Sequence, residues 1–146
     1  MSGPTSETRA VVVEREFPFP PEKLWRALTQ PHLLEEWLMK NDFAPVIGHS
    51  FNLRTTPYAN WNGVIDCEVM AIEPNRTLTY TWDSGEGPMR VTSVVTWTLM
   101  PTATGTHLRM EQSGFRSDQP QNYAGAKYGW QNFFAKLEQT LAKTDP

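Results

Sequence analysis

Between Trp130 and Lys143 the chain writes one face of an amphipathic helix. Trp130, Phe133, Phe134, Leu137 and Leu141 recur at helical spacing, and Gln131, Asn132, Lys136, Glu138, Gln139 and Lys143 cover the other side. A stripe carrying three aromatic rings needs a broad apolar surface opposite it. The rest of the chain must therefore supply a layer large enough to receive that helix.

The upstream segments supply it as strands. "RAVVVEREF" (9–17) is β-branched and then alternates, and "PFPP" stops it. Pro21 is well placed as the first residue of a helix over 21–28, and Pro31 of a second over 31–39. Leu33, Leu34, Trp37 and Leu38 form the apolar stripe of the second helix. The period then changes from helical to alternating. "HSFNLRTT", "NGVIDCEVMAIEP", "RTLTYTW", "MRVTSVVTWTLMP" and "HLRMEQSGF" each read as a strand. Pro74-Asn75, the glycine-rich "DSGEGP" and "TATGT" are hairpin-length connections, so the five strands form an antiparallel meander. The loop "RSDQPQN" leads into the closing helix, read as 121–143. The expected fold is α+β: a curved antiparallel sheet of about six strands wrapped on a long C-terminal helix, with two short helices after the first strand. Residues 1–8 are expected to be a flexible tail and 9–146 a single domain.

One inner face collects Leu78, Tyr80, Trp82, Val95, Trp97 and Leu99, continued by Leu108 and Met110. Three polar groups share it: Ser93, Gln112 and the Tyr80 hydroxyl. Each needs a partner if buried, because an unpaired buried polar group costs roughly 1–3 kcal/mol. The partner is a backbone group, a trapped water or a ligand. The aromatic rings have two outcomes as well. They fill the space between sheet and helix, or they wall a pocket there. Gly125 and Gly129, four residues apart, mark either an opening beside the closing helix or a helix that starts late, near Tyr128.

Other function classes are poorly supported. The net charge is −3 with no basic run, so the footprint of a nucleic-acid binder is missing. No apolar stretch reaches the ~20 residues of a membrane span, and "MSGPTSETRA" lacks a secretory core, so a cytoplasmic location is expected. Cys67 is the single cysteine, and no Cys/His spacing suits a metal, so neither metal nor cofactor is expected. His32, His49 and His107 have no partner in a catalytic motif. Asp66 and Glu68 share a strand face and suit acid/base work only if buried together. Val64, Met70 and Ile72 have the same parity, so that strand has a mixed face or a bulge. Arg54 is expected to point to solvent.

The segments "REFPFPPEKLWRALTQPHLLEEWL" (15–38), "GHSFNLR" (48–54), "EVMAIEPNRTLTYTW" (68–82), "VVTWTLMPTATGTHLRMEQSGF" (94–115) and "YGWQNFFAKLEQTL" (128–141), in this order, resemble the activator of heat-shock-protein-90 ATPase homologue family. That family sits within the START-related, birch-pollen-allergen-like helix-grip (SRPBCC) superfamily. The resemblance implies a sheet gripping the C-terminal helix and commonly a cavity between them. It departs from the family's usual pattern at Gln112, where His-x-Gly-Phe is frequent, and at His49, where a second glycine is common. An amide hydrogen-bonds but is no base near neutral pH.

The leading functional expectation is a binding domain for a hydrophobic, aromatic or lipid-like small molecule. Tyr80, Trp82, Trp97, Met110, Trp130 and Phe134 would wall the site, and Ser93 and Gln112 would supply polar contacts. The resemblance also implies two alternatives. One is a stress-related module that engages a chaperone. The other is a polyketide cyclase or dehydratase, as in distant helix-grip relatives, using Asp66, Glu68, Tyr80 or His49. The protein is expected to be a monomer or a homodimer, the latter through apolar residues such as Trp37 or Phe115.

Overall fold

The structure, a computed structural model, describes residues 8–57, 61–85, 90–116, 118 and 120–144. The elements run β1 (Thr8–Phe17), α1 (Pro21–Thr29), α2 (Pro31–Trp37), β2 (Lys40–Asn41), β3 (Ser50–Arg54), β4 (Val64–Glu73), β5 (Thr77–Ser84), β6 (Val91–Pro101), β7 (Thr106–Arg116) and α3 (Pro120–Lys143). The α+β architecture expected from periodicity is present. The sheet has seven strands in the order β1-β7-β6-β5-β4-β3-β2, with every neighbouring pair antiparallel. The strand beyond the six expected is β2, two residues long and too short to show a period. The expected tail lies outside the described residues except for Thr8, which opens β1. Half of the "DSGEGP" turn and two residues of "RSDQPQN" also lie outside them.

The two short helices follow from the prolines. Pro21 and Pro31 each occupy the first helical turn, where a missing N–H costs nothing. Gln30 between them is extended (φ −93°, ψ 122°), as a residue before proline prefers. The Trp37 indole donates to the Ala27 carbonyl at 2.9 Å and ties α2 to α1. The second helix ends at Trp37, two residues short of expectation, and Lys40 and Asn41 go to the sheet instead.

Two β-bulges decide which side chains face inward. In β4 the register to β5 slips between Val69 and Ala71, so Met70 is the extra residue. Ile65, Cys67 and Val69 are buried before the slip, and Ile72 packs on the core after it. The bulge explains the mixed parity of that strand, and it leaves Asp66 and Glu68 exposed on the outer face. In β7 the register to β1 slips at Gly114, with Arg9 opposite Phe115 and Ala10 opposite Ser113. Gly114 has φ +111°, and a Cβ there would sit 2.9 Å from the Thr92 carbonyl oxygen, so glycine is required. This slip turns both Gln112 and Phe115 inward. The surface dimer contacts expected of Trp37 and Phe115 are overturned, since both are buried in the core at 1% and 2% exposure.

The core lies between sheet and α3, closed at one end by α1 and α2. Trp97 is its centre. It meets Trp37 edge-on at 5.8 Å, Trp130 at 5.6 Å and Phe134 in a stacked pair at 5.9 Å. Along α3, Trp130, Phe134, Leu137 and Leu141 are buried and Phe133 is half-buried, as the stripe demanded. Among the described residues no helix is long and apolar enough to cross a membrane.

Candidate functional site: a cavity beside the C-terminal helix

The residues expected to form a site divide into two groups. Tyr80, Trp97, Met110 and Phe134 are packed into the core, at 0–2% exposure. The Trp97 indole donates to the Tyr80 hydroxyl at 2.9 Å, and Phe51 and Phe43 lie edge-on to the Tyr80 ring. Burial pushes the Tyr80 phenol well above its ordinary range, against the opposing pull of the Trp97 N–H. These four seal the middle of the grip.

Trp82, Trp130 and Gln112, by contrast, line a cavity of about 280 Å³ beside the first half of α3. Ser93 does not line it but sits directly behind Gln112. The Ser93 hydroxyl donates to the Trp82 carbonyl at 2.6 Å and accepts from Gln112 Nε2 at 2.9 Å. Gln112 Oε1 in turn accepts the Trp130 indole N–H at 2.7 Å. Each polar side-chain group in this relay thus has a partner, and the relay ties the Trp130 indole to the backbone of Trp82 at the cavity wall. The rings of Trp82 and Trp130 lie 5.1 Å apart, tilted by 49°. So the polar groups on the inner face are satisfied by side chain and backbone. Gln112 still presents its amide at the lining.

The rest of the wall was not assigned from sequence. Phe115 and Val91 come from the sheet, Phe133 and Ala126 from α3, and Trp61 and Met39 from the connections before β4 and after α2. Phe115 was hidden by the Gly114 bulge, which breaks simple alternation. Trp61 stands in a stretch with neither helical nor strand period. The helix glycines were the usable signal. Gly125 and Gly129 both line the cavity within α3, which begins at Pro120 and not near Tyr128. A Cβ added at either would meet nothing within 4 Å. They mark an opening.

Trp61 stands apart. Its ring packs on the core, yet its Nε1–H is shielded from solvent and meets no acceptor among the described residues. A donor left in that state costs about 1–3 kcal/mol.

Titratable groups sit elsewhere. His32 is exposed; His49 stacks on Phe51 and its Nε2 pairs with the Asp42 carbonyl at 2.9 Å. His107 lies on the outer face between Glu14 (2.8 Å) and Glu16 (3.1 Å). Burial drives the Cys67 thiol far above its ordinary range, and the nearby carboxylates of Asp83, Asp66 and Asp42 add to the effect, so it is no nucleophile. Arg54 reaches solvent, as expected, with Asn52 at 3.3 Å. Among the described residues no group of three or more His, Cys, Asp or Glu side chains is arranged to hold a metal ion.

Comparison with known proteins agrees with this architecture. Protein MLL2253 from Mesorhizobium loti is 64% identical, aligns over 94% of this chain and 100% of its own, and has a TM-score of 0.85. DynU16, a protein of the dynemicin biosynthetic locus, is 26% identical with a TM-score of 0.77 over 94% of this chain. The alignment covers 48% of DynU16, so the present chain spans about half its length. CalU16 from Micromonospora echinospora, 22% identical with a TM-score of 0.75, covers 98% of this chain and 82% of its own and shares the fold. No curated protein sequence matches the chain. The sequence model described as Activator of Hsp90 ATPase homolog 1-like protein matches residues 18–142, and with the helix-grip architecture above it this chain belongs to that family.

Proposed function

We propose that the protein binds a small hydrophobic molecule, aromatic rather than lipid-like, in the cavity between the sheet and the first half of α3. The observation that carries the reading is the wall itself. Trp61, Trp82, Trp130, Phe115 and Phe133 surround about 280 Å³, and a hydrogen-bonded relay holds the Trp130 ring in place against the backbone of Trp82. That volume is near the lower end of ligand pockets, which run from about 300 Å³ upward. It suits one or two fused rings better than an acyl chain.

Binding is favoured over acid/base catalysis by where the candidate groups lie. Among the described residues that line the cavity none is titratable at neutral pH. Asp66 and Glu68 are exposed on the opposite face of the sheet, and the Tyr80 hydroxyl is locked against Trp97. The test is a titration of intrinsic tryptophan fluorescence with bicyclic aromatic compounds, paired with native mass spectrometry of gently purified protein. A saturable change in emission at one equivalent is expected, because Trp82 and Trp130 form the wall. Emission indifferent to every compound, with a bare mass, would sink the reading.

A further inference from the structure

The cavity is polar at one end and aromatic at the other. Asn122, Gly125, Ala126, Gly129 and Phe133 line it from α3 and recur at helical spacing, so they form one stripe of that helix. At 1.5 Å per residue the stripe runs roughly 16 Å, from Asn122 near the helix start to Phe133. The sheet is ordered in the same direction. Ser84 ends β5 opposite Val91, which opens β6. Phe115, near the end of β7, meets Tyr123 early in α3 at 5.9 Å. Two residues back along β5, Trp82 lies 5.1 Å from Trp130, more than a turn further along α3. Ser84 and Asn122 therefore share one end of the cavity, and Trp82, Trp130 and Phe133 the other.

The two polar side chains at the first end are unspent. Gln112, deeper in the lining, is engaged by both Ser93 and Trp130. The Ser84 hydroxyl and the Asn122 amide make no hydrogen bond among the described residues. Both residues line the cavity and both are only half-buried, so a molecule held there can reach them. An amide and a hydroxyl each donate and accept, and their best complement does both. Among the described lining residues no side chain is charged, so a carboxylate or ammonium would lose hydration without gaining a counter-charge. A neutral carboxamide can donate to and accept from Asn122 at once.

We infer that the cavity holds its ligand in one orientation, with aromatic rings between Trp82, Trp130 and Phe133 and a neutral carboxamide group against Ser84 and Asn122, which select for it. The inference rests on the binding role proposed above and deepens it by naming the ligand's polar group. Pockets of this kind are mostly apolar, and a few placed polar groups fix the orientation of what they bind.

The experiment compares 2-naphthamide with 2-methylnaphthalene, which has the same fused rings and no polar group, by isothermal titration against the full chain. It is repeated on the double variant Ser84→Ala/Asn122→Ala. Neither side chain has a partner in the fold to lose, so the variant should fold as the parent does. In parallel the Asn122 side-chain amide and the Trp130 indole N–H are followed by 15N NMR, each assigned by its loss on substitution. Expected is a loss of about tenfold in naphthamide affinity in the variant, the usual weight of a net hydrogen bond or two in partial contact with water, with methylnaphthalene unchanged. The Trp130 signal should move with both compounds, and the Asn122 amide with naphthamide alone. Naphthamide affinity that is the same in variant and parent overturns the inference and leaves the cavity reading intact. An equal loss for both compounds overturns it too, because the two residues would then shape the wall without selecting the polar group. Failure of both compounds to bind the parent removes the cavity reading and this inference together.

Discussion

Gln112 occupies the most consequential position in the molecule that is neither apolar nor charged. Its amide accepts from Trp130 and donates to Ser93, so one side chain holds a residue of α3 against β6 and β7. Gln112→Leu is nearly isosteric but strands the Trp130 N–H inside the core. We expect a loss of about 1–3 kcal/mol in urea denaturation, with Trp130 emission altered in the native state. A variant as stable as the parent would show that the relay is incidental. His107 makes a separate residue-scale case. The hydrogen bond that His107 donates to Glu14 is the main cause that raises its pKa; desolvation opposes it, and Glu16 adds to the rise. A raised folded value means that the charged form stabilises the fold. That contribution is complete below the unfolded value of about 6.5 and is lost as pH rises through the raised folded value. Because the pair is on the surface, the effect should stay below about 1 kcal/mol. The melting temperature of His107→Gln should therefore lie below that of the parent at mildly acidic pH, and the two should converge above neutrality. A constant offset at all pH values would contradict the link to protonation.

Among the elements, α3 shows how a site can be legible without its walls being so. Its stripe named the face that packs, and Trp130, Phe134, Leu137 and Leu141 are buried as that face requires. The sheet's inner residues followed from strict alternation in β5 and β6, where no bulge intervenes. Alternation failed where Met70 and Gly114 break register, and that concealed Phe115. It was silent over Trp61, whose placement depends on tertiary packing and not on any local period. Periodicity also cannot say whether facing aromatics touch. Trp97 and Phe134 do, and that is why they fill the core, whereas Trp82 and Phe133 line the cavity together with the helix glycines. Those glycines yield an element-scale prediction with opposed signs. Gly125→Ala and Gly129→Ala lie in a helix with nothing within 4 Å of the added methyl, so each should stabilise the protein by up to ~1 kcal/mol. Gly129→Leu should cost little stability yet occupy the cavity and weaken aromatic ligand binding at least tenfold. If the larger side chain left binding unchanged, the ligand would have to lie elsewhere.

At the level of the whole molecule, the space between sheet and helix is divided. One part, around Trp97, is filled by rings in contact with Trp37, Trp130 and Phe134. The other, around Gly125 and Gly129, stays open. The filled part should carry stability and the open part binding, and the two are experimentally separable. Trp97→Ala removes the central ring and the donor to the Tyr80 hydroxyl, so a loss of about 3–5 kcal/mol is expected. Against a typical total of about 5–15 kcal/mol, that loss leaves the variant mostly folded near room temperature where the parent stands above the bottom of the range, and circular dichroism of the variant checks this before any ligand is added. Its ligand selectivity should match the parent's, because the cavity wall is untouched except where Trp130 loses a neighbour. Ligand present at about a hundred times its dissociation constant should restore about 2.7 kcal/mol by mass action, in parent and variant alike. For a domain of this size, that corresponds to roughly 5–10 °C in melting temperature. Equal ligand-induced shifts in the two proteins would confirm that packing and binding occupy different halves of one grip. A shift abolished in Trp97→Ala would mean that the ligand reads the central ring itself, and the division between filled and open halves would fall.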